Sequence, residues 1–200
     1  MTIIENSTGK ILKILLKNFM KKNTISSISE EIKIKRAGVW KALKRIESNN
    51  LIILESIGKG KTNAYEIKLN WKNPLVEKTL EILLIEDALK EERWKDNFKQ
   101  LEKHTFFTIL FGSILHSPKE ANDIDILVIV KTNEDFKEVE KIVSEIGLTQ
   151  IKKIHAIDLT KEEFELELKK KNKAYIDALK KGVILSGQED FIKFIEEISR

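Results

Sequence analysis

The sequence predicts a protein of the α+β or α/β class, built from two parts that differ in charge and in pattern. Up to Asn73 the chain carries 15 Lys and Arg against 6 Asp and Glu, and after it 21 against 26. The net charge of +4 therefore combines a basic front with an acidic back. Helical spacing and a hairpin pattern occupy the front, whereas strands alternate with helices in the back. A basic front and an acidic back indicate two parts with different partners.

The composition limits the class of protein. Two hundred residues, 42% of them apolar, are enough for one or two domains with real cores. The chain has no cysteine, which excludes disulfides and thiolate chemistry. The start, MTIIENSTGK, does not resemble a secretory signal, and the apolar runs are too short to cross a bilayer. We expect a soluble, cytoplasmic protein that does not bind a membrane.

The front is expected to hold three short helices and a hairpin. The predicted helices cover residues 9–21, the later part of 24–32 and residues 35–49, and the predicted strands cover 51–57 and 63–69. Ser26 or Ser27 is expected to cap the second helix, since Ser27 and Glu30 have the spacing of a capping box. The third helix has an apolar stripe and several cations, and the tip between the strands, Gly58 to Thr62, is basic.

The stretch SISEEIKIKRAGVWKALKRIESNNLI resembles the second helix, recognition helix and wing entry of winged helix-turn-helix domains. The resemblance implies binding to nucleic acid, with DNA as the expected partner, over a domain of residues 1–72. The cations expected to contact phosphates or bases are Arg36, Lys41, Lys44, Arg45, Lys59 and Lys61. Two alternatives stay open: the cations form a solvated face, or the domain binds protein or only dimerises. Trp40 is expected in the core or in a dimer contact.

A helical linker is predicted over residues 73–104. Asn73-Pro74 marks its start, because the residue before a proline is disfavoured in a helix. The pattern from Leu75 onward fits one long helix or a broken pair. The apolar run Ile82 to Ile85 exceeds what one face needs, so it is a candidate homodimer interface.

The back, residues 105–200, is expected to alternate strands and helices. Strands are predicted over 105–111, 124–130 and 151–159. Helices are predicted over 134–146, from 161 onward, over 172–181 and over 188–199, with Thr160 as the cap of the second.

Two aspartates stand at the start of the second of these strands, in FGSILHSPKEANDIDILV. Residues i and i+2 of a strand share a face, so Asp123 and Asp125 point together while Ile124 faces the core. Two adjacent carboxylates repel unless a cation lies between them, and carboxylate oxygens suit Mg²⁺. Gly112 and Ser113 end the preceding strand, where backbone N–H groups and a hydroxyl can bind phosphate. The stretch predicts a phosphate-binding turn beside a metal-binding pair.

The text ILFGSILHSPKEANDIDILVIV resembles the signature of the nucleotidyltransferase superfamily related to DNA polymerase beta, closest to its minimal prokaryotic members. The resemblance covers residues 105–200 and implies an α+β fold with a mixed sheet flanked by helices. It also implies Mg²⁺-dependent transfer of a nucleotidyl group, AMP from ATP above all, to a hydroxyl that could belong to a partner protein.

The family usually adds a third acidic residue on a later strand, and Asp158 is the candidate here. The alternative is that Asp158 only turns the chain into the next helix. His155 has the opposite parity and is expected to be structural. Active relatives often carry Arg and Gly shortly after Gly-Ser, whereas this chain has His116 and Ser117, with Lys119 as the nearest cation. A second function class therefore stays open: a DNA-binding transcription regulator whose nucleotidyltransferase-like domain senses nucleotide without turnover.

Overall fold

The computed structural model describes residues 7–57 and 64–199. By the contacts among its residues, the chain forms two units: Met1–Leu83 with Ile195–Arg200, and Leu84–Phe194. Helices and a mixed sheet are both present, so the α+β class is confirmed. The predicted tip of the hairpin, with Lys59 and Lys61, lies outside the described residues.

The first unit begins with three helices and an antiparallel strand pair. These elements are α1 (Ser7–Lys17), α2 (Ile25–Ile32), α3 (Arg36–Ser48), β1 (Ile52–Ile57) and β2 (Ala64–Leu69). The three helices contact one another, β2 packs on α1, and β1 packs on α3. Buried side chains come from one side of each helix, and include Ile11, Leu12, Leu16, Ile28, Val39, Leu43 and Ile46. The strands pair from Ile52 opposite Leu69 to Ile57 opposite Ala64.

The cap of α2 differs from the prediction. Thr24, and neither Ser26 nor Ser27, is the N-cap: its side chain accepts from the Ser27 N–H, and the Ser27 hydroxyl accepts from the Thr24 N–H. Ser27 thus holds the third position of the helix, where the capping-box motif normally has Glu or Gln. The helix starts where its first unpaired N–H groups find acceptors, and Thr24 offers one two residues before Ser26 and three before Ser27.

The segment after the hairpin is broken, as one of the two alternatives anticipated. It contains α4 (Leu75–Lys90), α5 (Glu92–Asn97) and a 3-10 helix over Lys99–Lys103. None of the helices in the described ranges is long and apolar enough to cross a membrane.

The second unit is built on a four-stranded sheet in the order β5-β4-β3-β6. The strands are β3 (Thr105–Phe111), β4 (Asp123–Val130), β5 (Lys153–Leu159) and β6 (Val183–Ser186). β3 runs antiparallel to β4 and β6, whereas β4 and β5 are parallel, so the sheet is mixed. The helices are α6 (Asp135–Gly147), α7 (Lys161–Lys169), α8 (Lys173–Lys181) and α9 (Gln188–Ser199), of which α9 belongs to this unit only as far as Phe194. Thr160 caps α7 as expected.

Strand β6 was absent from the sequence-based prediction. Its four residues are too few to show a period of two, and they follow directly on α8. The strand exists because it pairs with β3 through Ile109 opposite Ile184, and its residues Ile184 and Leu185 are buried. Long-range pairing decided this element.

The two faces of the sheet carry separate apolar clusters. On one face, alternate residues of β4 from Ile124 to Val130 pack in a single cluster with Val139 and Ile142 of α6. On the other, Phe107 of β3 contacts the rings of Phe164, Phe191 and Phe194. Since side chains alternate along β4, Asp123 and Asp125 lie on the face opposite α6.

Candidate functional site

Asp123 and Asp125 stand at the start of β4, and the turn after β3 lies directly against them. Phe111, the last residue of β3, is the register partner of Asp125. The next residue, Gly112, has a φ of +83°, and a Cβ there would collide with a carboxylate oxygen of Asp125. Only glycine accepts both this backbone conformation and this approach. The Gly-Ser turn and the carboxylate pair therefore form one site.

Beyond Gly112 the chain makes one 3-10 turn, Ser113–Leu115. The N–H groups of His116 and Ser117 donate to the carbonyl of Ser113, and the Ile114 side chain is buried in the cluster beneath α6. The buried isoleucine anchors the turn, while Ser113 is exposed. Ser113 is thus held at the surface, directly after the glycine that lies against Asp125.

The structure brings His155 to the carboxylate pair. β5 runs parallel to β4 with His155 in register with Asp125. The Nδ1 atom of His155 lies 3.2 Å from Oδ2 of Asp123 and 3.6 Å from Oδ1 of Asp125. Sequence reasoning assigned His155 a structural role, because the parity of β5 alone does not tell which face meets the aspartates. A histidine within an otherwise apolar strand was the signal that could have found it.

The structure does not bring Asp158 to the pair, so the expectation of a third carboxylate there is not met. Asp158 is in register with Val128, and it shares its parity with Ile154 and Ala156, which pack on the α6 side of the sheet. Its side chain therefore projects from the opposite face to Asp123 and Asp125, three residues further along the strand.

Two lysines of the β5 region lie near the pair and were not among the predicted site residues. Lys153 is the register partner of Asp123 and has the parity of His155, so it is placed on the face of the carboxylates. The Nζ atom of Lys152 donates to the carbonyl of Ala121, two residues before Asp123. Lys119, the cation considered from the sequence, is exposed in the loop between β3 and β4. Lys153 therefore places one cation on the face of the carboxylates.

The electrostatics of the pair fit a cation site. Burial raises the pKa of the Asp125 carboxyl, the charge of Asp123 raises it further, and His155 lowers it in part. The exposed fraction of the side chain is 24% for Asp125 and 31% for Asp123. Both carboxylates are thus reachable but crowded, and a bound cation would relieve their repulsion.

One oxygen of each aspartate and one nitrogen of His155 lie within 4.8 Å of one another. Such a spacing lets three donors share one ion. Two carboxylates and an imidazole form a donor set that binds divalent ions, so the residues present fit a metal.

The cations predicted to bind nucleic acid lie on the exposed side of α3. Arg36, Lys41 and Arg45 are exposed, and the apolar stripe through Val39 and Ile46 is buried. Lys44 is partly neutralised, because its Nζ lies 2.7 Å from a carboxylate oxygen of Glu47.

Trp40 of α3 is half-buried. It stacks on Tyr65 of β2 with ring centroids 5.7 Å apart, and the Lys44 ammonium lies 4.7 Å from its ring centroid. The tryptophan therefore ties α3 to the hairpin.

The match of this chain to a known protein family agrees with the geometry of the site. Residues 92–189 match the family model described as polymerase beta, nucleotidyltransferase. This range includes the Gly-Ser turn, both aspartates and His155. The chain matches no curated protein.

Among solved structures, the chain has a likeness to the heme sensor protein PefR from Streptococcus agalactiae in complex with heme. Identity is 17%, coverage is 73% of this chain and 74% of that one, and the TM-score is 0.35. At that TM-score the likeness carries no information on fold or function. The family match and the mixed sheet agree with each other: residues 92–189 form a nucleotidyltransferase-like domain.

Proposed function

We propose that the chain is a metal-dependent nucleotidyltransferase that moves a nucleoside monophosphate from a nucleoside triphosphate, ATP above all, to a hydroxyl. The observation that carries the proposal is the pair Asp123 and Asp125 packed against the Gly112-Ser113 turn, within a segment that matches a nucleotidyltransferase family. A divalent ion held by the aspartates, Mg²⁺ in the family, would neutralise the phosphates and favour the deprotonated acceptor hydroxyl.

The chain's own residues have separable parts in this proposal. Asp123 and Asp125 would hold the ion, and Ser113 with the backbone of its turn would bind terminal phosphates. Lys153, in register with Asp123, would add positive charge for the triphosphate. The acceptor oxygen bonds to the α-phosphorus, the bond to pyrophosphate breaks, and the hydroxyl proton is released to solvent or a nearby base.

Calorimetry of ATP binding, with and without Mg²⁺, tests the proposal. We expect binding that needs the ion and is lost in the double variant Asp123→Asn/Asp125→Asn. Asp177→Asn, an aspartate in an ion pair with Lys181 on α8, is the matched control and should bind as the wild type does. Asp158→Asn should also bind normally, since its side chain projects from the other face. Absence of nucleoside triphosphate binding under all conditions would refute the enzyme.

If ATP binds, transfer of label from α-³²P ATP identifies the acceptor class. A partner protein, a small molecule and RNA are the three acceptors to compare. Labelling must disappear in Asp123→Asn to count as activity of this site.

We further propose that the first unit is a winged helix-turn-helix domain that binds DNA. Three helices followed by an antiparallel hairpin, with Arg36, Lys41 and Arg45 exposed on α3, support it. Lys59 and Lys61, which lie outside the described residues, are proposed from the sequence to contact phosphates as well.

Fluorescence anisotropy with duplex DNA at several salt concentrations tests the nucleic-acid interface. Each of Lys41→Ala and Arg45→Ala should reduce the slope of log affinity against log salt by about 1 if the residue contacts a phosphate. Lys141→Ala, an exposed lysine on α6, should leave the slope unchanged. Equal slopes in the wild type and in all three variants would mean that these cations lie on a solvated face that does not contact DNA.

Two observations favour a second function, a DNA-binding regulator that senses nucleotide without turnover. The position beside the aspartates holds His155 in place of a carboxylate, and His116 and Ser117 stand where active relatives often have Arg and Gly. The effect of Asp123→Asn separates the two: an enzyme loses nucleotide transfer, whereas a sensor loses only the effect of nucleotide on DNA affinity.

A further inference from the structure

We propose that His155 is the third protein ligand of the metal and makes the site prefer a first-row transition dication, represented by Mn²⁺, over Mg²⁺. The inference rests on the proposed metal site at Asp123 and Asp125, and it concerns which ion that site selects. It does not depend on whether nucleotide transfer follows.

The position of His155 is set by strand pairing. The parallel register of β4 and β5 places His155 beside Asp125 on the same face of the sheet. Its Nδ1 atom is 3.2 Å from an oxygen of Asp123 and 3.6 Å from an oxygen of Asp125. The nitrogen therefore faces both carboxylates at once, and the three donor atoms lie within 4.8 Å of one another.

The accessibility of the imidazole also fits a ligand. Its side chain is 47% exposed, compared with 31% for Asp123 and 24% for Asp125. All three donors are partly exposed, so an ion held by them would stay within reach of solvent or substrate. Open positions are what a catalytic or nucleotide-binding metal site needs, unlike a closed structural site.

The donor set decides the ion. Mg²⁺ is a hard cation that prefers oxygen ligands in a near-ideal octahedron and loses its waters reluctantly. Imidazole nitrogen favours first-row transition ions, whose affinity for mixed nitrogen and oxygen sites rises along the Irving–Williams series. A neutral imidazole also leaves the site with two negative charges, where three carboxylates would supply three. The lower charge weakens the binding of both ions, whereas the imidazole nitrogen disfavours Mg²⁺ more than Mn²⁺, so the nitrogen donor carries the preference.

Binding of Mn²⁺ and of Mg²⁺ to the full chain without nucleotide is the test. Competition titrations give the ratio of the two affinities, and pulsed electron paramagnetic resonance of bound Mn²⁺ detects a ligand nitrogen. We expect nitrogen coupling in the wild type. In His155→Asp we expect no coupling and a ratio of Mn²⁺ to Mg²⁺ affinity at least about tenfold lower, since even indirect partners of a metal ligand change affinity by 10–100-fold.

His116→Ala is the matched control, because His116 is an exposed histidine on the loop between β3 and β4. It should keep both the nitrogen coupling and the affinity ratio. The resonance measurement on the wild type needs no variant, so a folding defect in His155→Asp cannot hide the result.

Three outcomes would overturn the inference. One is bound Mn²⁺ without nitrogen coupling, and another is an unchanged affinity ratio in His155→Asp. The third is a wild type that binds neither ion while His155→Asp binds them, which would mean that the imidazole itself pairs with the carboxylates.

The inference and the proposed function can fail separately. Nitrogen-coupled Mn²⁺ without ATP binding would uphold the role of His155 and refute the nucleotidyltransferase. ATP binding that depends on Mg²⁺, with no nitrogen coupling to Mn²⁺, would do the reverse.

Discussion

At the scale of single residues, Gly112 shows how closely the backbone approaches the candidate site. Its φ of +83° and the Asp125 carboxylate at its Cβ position both exclude a side chain. Gly112 therefore belongs to the site because it has no side chain. Gly147, the last residue of α6, is the opposite case, since a Cβ there would meet no atom within 4 Å.

Gly112→Ala should therefore destabilise the protein by about 1–3 kcal/mol, the usual cost of a strained backbone conformation. We also expect it to weaken binding of ATP with a divalent ion, because Asp125 must move. Urea denaturation and calorimetry measure the two effects. Gly147→Ala should be neutral or stabilising by up to about 1 kcal/mol. A stable Gly112→Ala protein with full ATP binding would contradict the described turn.

Asp135, at the start of α6, is expected to make the stability of the protein depend on pH. Its Oδ2 accepts hydrogen bonds from the N–H and hydroxyl of Thr132, and its Oδ1 lies 2.7 Å from Nδ1 of His104. The Thr132 hydroxyl, followed by His104, holds the pKa of the Asp135 carboxyl below its ordinary value of 3.8. The ionised form is therefore favoured in the folded protein.

The sign of the pH effect follows from this lowered pKa. The stability contributed by Asp135 is fully present above pH 3.8 and is lost as the pH falls through the lowered value. Asp135→Asn should lower the free energy of unfolding by about 1 kcal/mol at pH 7. It should also remove the loss of stability that protonation of Asp135 causes at low pH. Denaturation midpoints between pH 2 and pH 7 measure it. Asp96→Asn, an exposed aspartate on α5, should follow the wild-type curve; an identical curve for Asp135→Asn would refute the assignment.

At the scale of elements, the start of α2 is decided by Thr24. The reciprocal hydrogen bonds between Thr24 and Ser27 satisfy N–H groups at the helix start. The pattern of hydroxyl residues predicted a cap in this region, but at Ser26 or Ser27, two or three residues after the residue that forms it.

Thr24→Ala should lower the free energy of unfolding by about 1 kcal/mol, the typical cost of losing an N-cap. Ser26→Ala lies within the helix and should change it by less than about 0.5 kcal/mol. Urea denaturation of both variants distinguishes the two positions. A larger loss in Ser26→Ala than in Thr24→Ala would restore the sequence-based assignment.

The pairing of β4 with β5 is the element-level feature on which the site depends. Sequence alternation orders the residues within each strand, but it does not determine which residue of β5 lies beside Asp125. The parallel register selects His155 and turns Asp158 to the other face. A change of register by one residue would exchange the two faces of β5. For this reason the residue that lies beside the two aspartates could not be predicted from the sequence of β5 alone.

At the scale of the whole molecule, α4 carries the surface predicted to form a homodimer. Leu83 and Leu84 of the predicted run are buried, whereas Ile82 and Ile85 are exposed. Leu89 is exposed as well, and spacings of three and four residues place it on the same side as Ile82 and Ile85. An apolar stripe of this kind favours association when it continues along one helix face.

We expect the chain to dimerise at micromolar concentration and the double variant Ile85→Glu/Leu89→Glu to be monomeric, since charges would have to be buried in the interface. Sedimentation equilibrium measures the state. Leu166→Glu, which changes an exposed leucine of α7, is the matched control and should remain dimeric. A monomeric wild type would eliminate the interface.

Local patterns in the sequence predicted most of the helices and strands, and they predicted the pair of carboxylates at the start of β4. The Gly-Ser turn, the spacing to Asp123 and Asp125 and the alternation that turns Ile124 into the core are all short-range features, set by backbone conformation and by a period of two. The tertiary structure alone decided what depends on pairing between distant segments: β6 as a strand, Gly112 against Asp125, and His155 in place of Asp158. Strand register is the physical reason, because it results from burial on both faces of the sheet at once and no single segment contains it.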